Sequence, residues 1–298
     1  MRNLKHLIEY LALSLFIKLI GLLNISTVRK AAVLIADFAF FAVPVRKKVV
    51  LDNLSKAYGN SKTYIELTRI AKDTYRQFAK TFLEIMLFPK ISSGQLQDMF
   101  EFRNTAVLDD ALKKGKGAIL VGAHYGNWEL MGAAVALKYP LTFVVGEQTN
   151  HMVDDLLNSF RKEKGVKTIP LKFALRGVMK TLKNNEFAAI ISDQDAHENG
   201  FFVDFFSRPA STPKAAAMFS IRAGCPLITG HCIRKGGGYI VVFDKIEPPA
   251  PSGSEEDDAR ALTALYTARI ESYVREHPDH WFWMHKRWKT RQDNEAKH

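Results

Sequence analysis

In the stretch AILVGAHYGNWELMG, residues 118–132, an imidazole and a carboxylate stand five positions apart, His124 and Glu129, where an apolar run stops and a helical pattern begins. On one continuous helix, residues five apart diverge by about 140°, so the two could not meet. They can meet if His124 sits in a loop after a strand and Asn127 begins the helix, with Glu129 in its first turn. Gly122 and Gly126 make such a tight exit feasible. That setting is the carboxyl edge of a parallel strand, where open α/β sheets bind ligands, beside the free backbone amides of a helix start. The chemistry it suits is acyl transfer to a hydroxyl. Neutral His124 takes the proton as the alcohol attacks an activated carbonyl, and Glu129, bonded to the other ring nitrogen, fixes the tautomer and stabilises the imidazolium. The G-x-S-x-G elbow of a serine nucleophile is absent, which points to direct attack in a ternary complex.

The flanking sequence supplies the strand and helix that this pair requires. Apolar residues from Leu67 to Met86 recur at helical spacing and predict a long amphipathic helix over 63–88, stopped by Pro89. MFEFRN then reads as a strand, NTAVLDDALKKGKG as a helix capped by Asn104, and AILVGA as a buried strand. Further pairs come after these: helix 127–138 and strand 141–146, helix 152–164 and strand 166–170, helix 173–184 and strand 187–192. Thr212 and Pro213 are expected to open another helix, which Gly224 ends. Two strands around the triple glycine at 236–238 and a last helix over 257–276 complete the chain. The alternation implies an α/β fold with a mostly parallel, mixed sheet flanked by helices. One catalytic domain is expected over 50–298, behind an amino-terminal helical segment, 1–49, that associates with a membrane.

The basis for that segment is charge beside hydrocarbon. Of a formal net charge of +11, the first fifty residues supply six, from eight Lys or Arg against Glu9 and Asp37. Apolar runs at 7–23 and 31–45 lie between these cations, a pairing that suits an anionic lipid surface. A tilted span and a pair of interfacial helices both fit, as does burial of both helices in a soluble domain. A cleaved secretory signal does not, because no small-residue cleavage site follows the first run. The cations at Arg29, Lys30 and 46–48 place the rest of the chain on the cytoplasmic side. No nucleic-acid partner is expected, since the chain has no zinc-finger spacing, RNP-like box or basic heptads. Cys225 and Cys232 lie outside any CxxC pattern and read as reduced strand residues.

Four blocks, in order along nearly the whole chain, resemble the lipid A late acyltransferases, relatives of the H-x4-D/E glycerolipid acyltransferases. They are GAHYGNWEL, NSFRKEKGVKTIP, ISDQDAHENGFFVDFFSRPASTPKAAAMFSIRAG and HPDHWFWMHKRWK. The resemblance implies a glycerolipid acyltransferase-like fold and an enzyme of the inner membrane facing the cytoplasm. Its donor would be acyl carrier protein and its acceptor a hydroxyl of an anionic lipid A precursor, with no cofactor. Another glycolipid or aminolipid acceptor, acyl-CoA as donor, and a non-catalytic basic lipid-binding or nucleic-acid-binding protein are the alternatives. Carried over by position, His124 is the base, Glu129 its partner, and Arg161 the arginine near the pair, suited to a phosphate or an oxyanion. AHYG and the serine of FFSRPAST depart from the usual pattern without touching the proton transfer.

Asn127, Asp193, Gln194 and Arg287 are the further candidates for substrate contact. Asp193 and Gln194 would brace the site wall or bind a polar headgroup, and Arg287, with Lys286 and Lys289, would meet lipid phosphates or the acidic carrier. Asp193, Asp195 and His197 alternate in a way that could hold a divalent metal, though the implied chemistry needs none. Phe201, Phe202, Phe205 and Phe206 read as core, with a wall of the acyl pocket as the alternative. HWFWMHKRWK by itself suggests an interfacial anchor or a stacking platform.

Overall fold

The computed structural model describes residues 2–43 and 45–292. Seven strands form one sheet in the order β1 (Phe100–Arg103), β9 (Gly238–Ile246), β8 (Leu227–Lys235), β2 (Ala118–Gly122), β5 (Phe187–Ile191), β3 (Leu141–Val145) and β4 (Lys167–Pro170). Every neighbouring pair is parallel except β8 and β9, the hairpin around the glycine turn. The sheet is therefore mixed and mostly parallel. β2 lies near its middle and is buried at all five positions, as a strand covered on both faces must be.

Helices cover the two faces. α9 (Ala174–Lys183), α10 (Ala215–Ala223) and α11 (Glu255–Glu276) pack over Ile119, Val121 and Ile190. On the other face α5 (Ser93–Asp98), α6 (Ala106–Lys113), α7 (Trp128–Ala136) and α8 (His151–Glu163) pack over Ala118, Leu120 and Phe187. Alternation along β2 sends successive side chains to opposite cores. Between the amino-terminal helices and the sheet runs α4 (Tyr64–Met86), begun by a capping box in which Thr63 and Glu66 satisfy each other's backbone amides.

α1 (Arg2–Ile20) and α2 (Ile25–Ala42) present two different faces. α2 lies along α4 and buries Val28, Ala32, Ala36 and Phe40, one per helical turn, while Arg76 grips Asp37 through two hydrogen bonds of 2.7 Å. Its outer side exposes Leu34, Ile35, Phe38 and Phe41, and α1 exposes Leu4, Ile8, Leu11 and Leu15. Among the described residues no helix is long and apolar enough to cross a membrane. α3 (Lys47–Tyr58) then leads into α4.

Three local expectations are corrected. Asn104 does not cap α6: it takes a left-handed φ of 56° and its amide donates to the Phe243 carbonyl, while Thr105 precedes the helix. Thr212 does not open α10, because it ends β7 (Pro209–Thr212), which pairs antiparallel with β6 (Phe201–Asp204) in a ribbon the spacing did not suggest. In HWFWMHKRWK, Trp281 and Trp283 are buried in the core and form no interfacial anchor.

Candidate active site

β2 ends at Gly122, and the loop 123–127 turns the chain into α7. Gly126 has a φ of +59°, and a Cβ there would lie 1.9 Å from the Cys232 carbonyl oxygen, so only glycine fits this turn. Asn127 caps α7, its Oδ1 accepting from the Leu130 amide, and so places Glu129 in the first turn as expected. The carboxyl-terminal segment clamps the loop from the other side. The Phe282 amide donates to the His124 carbonyl and the Gly126 amide to that of His280, at 3.0 and 2.9 Å.

The hydrogen bond expected between His124 and Glu129 is not formed. His124 Nδ1 lies 2.8 Å from Asp193 Oδ1, and the His124 backbone N–H donates to Asp193 Oδ2 at 3.0 Å. The register explains this pairing. Gly122 of β2 faces Ile191 of β5 in a parallel ladder, and His124 and Asp193 each lie two residues beyond that pair. The Trp281 indole N–H donates a third bond to Asp193, at 2.8 Å. Burial pushes the Asp193 carboxyl up, but the His124 charge and these donors outweigh it and hold it below the usual carboxylate range. An ionised Asp193 only accepts, so Nδ1 carries the ring proton and Nε2 is left to act as base. For His124, burial pulls the pKa down, yet Asp193, with help from the Glu129 charge, raises it above its ordinary 6.5.

Glu129 has a different partner. Arg161 of α8 grips it in two-pronged fashion, Nε at 3.1 Å and Nη2 at 2.6 Å, and donates through Nη1 to Asn158. Two of the five guanidinium N–H groups remain for a ligand. His124, Glu129, Arg161 and Gln194 all border a cavity of about 730 Å³, whose walls are otherwise largely apolar, among them Phe82, Met131, Phe143 and Leu157. The Gln194 amide approaches His124 Nδ1 at 3.4 Å.

The other candidates lie elsewhere. Asn127 is fully buried and donates to Glu84, a carboxylate of α4 that also pairs with Arg29 and Arg234 at 2.5 Å and accepts from Tyr239. It shapes the loop and does not reach the cavity. Arg287 is also buried, donating to the Ser211 carbonyl and Thr212 Oγ1; burial pulls its pKa down to about 10, and it faces no lipid. The Asp195 carboxylate accepts from the Thr290 amide and hydroxyl, which ties down the carboxyl-terminal segment. Phe201, Phe205 and Phe206 fill the core on the face opposite α7 and do not border the cavity.

Trp281 is the residue that sequence reasoning missed. Its signal was a buried-type aromatic beside the histidine-rich block; that its indole reaches Asp193 depends on the bridge pairing Tyr125 with Trp281.

The sequence profile of the bacterial lipid A biosynthesis acyltransferase matches residues 1–290. The chain belongs to that family. This acyltransferase is 24% identical to the phosphatidylinositol mannoside acyltransferase of Mycolicibacterium smegmatis over 71% of its own length and 69% of the relative. It is 23% identical to the lipid A biosynthesis palmitoleoyltransferase of Escherichia coli K12, over 78% and 75%. With the lauroyltransferase of the same organism the identity is 27%, over 61% of this chain and 59% of that one. These matches bear out the resemblance carried by the four blocks and make the protein an O-acyltransferase.

Proposed function

We propose that this acyltransferase moves a fatty acyl group from acyl carrier protein to a hydroxyl of an anionic glycolipid, a lipid A precursor, at the cytoplasmic face of the inner membrane. The observation that carries the reading is the His124–Asp193 pair set at the edge of a deep apolar cavity. Such a cavity suits hydrocarbon, with a few polar groups at one end to fix orientation.

In the reaction, His124 Nε2 takes the acceptor hydroxyl proton as the oxygen attacks the thioester carbonyl. Asp193 holds the imidazolium that forms. The negative charge moves to the carbonyl oxygen, where the open first-turn amides of α7 and the remaining Arg161 N–H groups can offset it. Collapse breaks the carbon–sulfur bond, and the thiolate leaves with the proton from Nε2. No acyl-enzyme forms. Glu129 anchors Arg161 and adds negative charge near His124.

Segment 1–49 serves as the membrane-facing element in this reading and 50–298 as the catalytic domain. Interfacial helices fit the exposed leucines and phenylalanines of α1 and α2 beside the basic residues of this region. A second apolar patch, Leu171, Phe173 and Leu175, is exposed with Lys172 between and Arg176 after, and Leu171 borders the cavity. It suits the same leaflet.

A second acceptor is favoured by one observation, the match to a phosphatidylinositol mannoside acyltransferase. Donor and acceptor exchange with purified protein separates the two readings. Transfer from acyl carrier protein to a lipid A precursor is expected; transfer only from acyl-CoA, or only to another lipid, rejects the first. Mass spectrometry of lipid A from cells with and without the gene should show a difference of one acyl group.

A further inference from the structure

An alanine in the central strand β5 behaves unlike its neighbours. Phe187 and Ala188 are fully buried, as expected for a sheet covered on both faces, but Ala189 is only partly so. Its side chain points to the α7 side, where it borders the cavity. The register places Ala189 between Leu120 of β2 and Phe143 of β3, so these three side chains form one row across three adjacent strands. Toward the carboxyl edge the next row holds Gly122 of β2, with Gly230 of β8 beside it, and both border the cavity. The two glycines leave the sheet face open on that side, while Ile191 of β5, the partner of Gly122, lies 3.2 Å from where a Gly122 Cβ would sit and borders the cavity with them. Toward the amino edge Leu141 and Val135 still border the cavity, and Phe187, fully buried and outside its lining, closes the space behind them.

Phe143 closes the row from the side. A Cβ on Gly132 of α7 would lie 1.9 Å from the tip of the Phe143 ring, so the ring rests directly on the helix backbone and has no room to swing away. Leu120 lies four residues before His124, a reach of roughly 13 Å along the strand. The cavity thus has the reacting imidazole at one end and a defined floor at the other.

Resting on the reading of this cavity as the acyl pocket, we infer that Ala189 and Phe143, with Leu120, narrow it just above its floor and are the gauge that sets which donor length is used. A methylene that fits is removed from water; one too many must displace Phe143 from Gly132 or leave the carbonyl short of Nε2. Each methylene gained or lost is worth about fourfold in selectivity.

The test compares kcat/KM for acyl carrier protein loaded with decanoyl, lauroyl, myristoyl and palmitoyl chains. Ala189→Val should shift the preferred length downward, changing the ratio between neighbouring donors by about fifteenfold, because they differ by two methylenes. Phe143→Leu should shift it upward. Displacement of a fluorescent fatty acid by acids of graded length gives the same ranking without turnover, and thermal melting of both variants checks that they fold. If the parent discriminates between lengths and a folded Ala189→Val lowers all donors by one common factor, the gauge is overturned while the acyl pocket stands. If the parent neither binds fatty acids nor transfers from any donor, the acyl-pocket reading fails and the gauge with it.

Discussion

Two carboxylates flank His124, the proposed base, and they are held in opposite ways. Asp193, at the end of β5, is buried and receives three N–H donors, two of them from His124 itself. Glu129, at the start of α7, is half-buried and its two oxygens are taken by Arg161. A carboxylate bonded to the imidazole fixes its tautomer; one clasped by a guanidinium acts on the imidazole only through space, with its charge largely offset. Proximity in sequence therefore selected the wrong partner for the hydrogen bond, although both acids border on the same chemistry.

The largest effect that would break this comparison is at His124 and Asp193. His124→Ala should lower kcat by about 10²–10⁴ with membrane association unchanged, as measured by transfer assay and flotation. Asp193→Ala should fall in the same range, and an Asp193→Ala enzyme near parental activity would return the partner role to Glu129. Glu129→Gln should cost less, about tenfold, because the imidazole keeps its direct acceptor.

The pH profile sharpens the same contrast. In the proposed reaction His124 acts only when neutral, so kcat/KM should rise with pH through its pKa, which lies above 6.5. Asp193→Asn removes the charge that favours imidazolium while burial remains, and the rising limb should move to lower pH. Glu129→Gln should move it the same way by less. Arg161→Gln exposes the Glu129 charge and should move it the other way, to higher pH. Equal shifts for Asp193→Asn and Glu129→Gln would show that the two acids act alike.

Smaller effects are expected further out. Trp281→Phe removes one donor from Asp193 and keeps the aromatic bulk, so a several-fold loss in kcat with little change in KM is expected. Arg287→Met removes the donor to Thr212 Oγ1 and leaves the Ser211 carbonyl with the Ala196 amide alone, at a cost of about 1–3 kcal/mol. It should lower the melting temperature by several degrees while KM for the lipid stays unchanged.

Much of the fold was legible because its signals are local. The helix over Tyr64–Met86, the strands at 118–122, 141–145 and 187–191, and the glycine hairpin all follow from periodicity and turn residues within a short window. The β6–β7 ribbon was not, since Phe201–Asp204 and Pro209–Thr212 are short and read equally well as an aromatic core cluster. Asn104 and Thr212 looked like caps because their side chains favour that position, but tertiary partners claimed them first. Arg287 reads as a surface cation in a basic run, and only the packing of the carboxyl-terminal segment shows it buried.

The sequence alone determined that His124 stands at a strand-to-helix turn with Asn127 as cap and Glu129 in the first turn, because glycine, cap and apolar pattern act over a few residues. Strand order is a tertiary property. By laying β5 beside β2 it brought Asp193 to His124 across 69 residues, and by bringing Arg161 of α8 within reach of the start of α7 it gave Glu129 to Arg161. The choice between the two acids was made by hydrogen-bond geometry, which falls off within a fraction of an ångström.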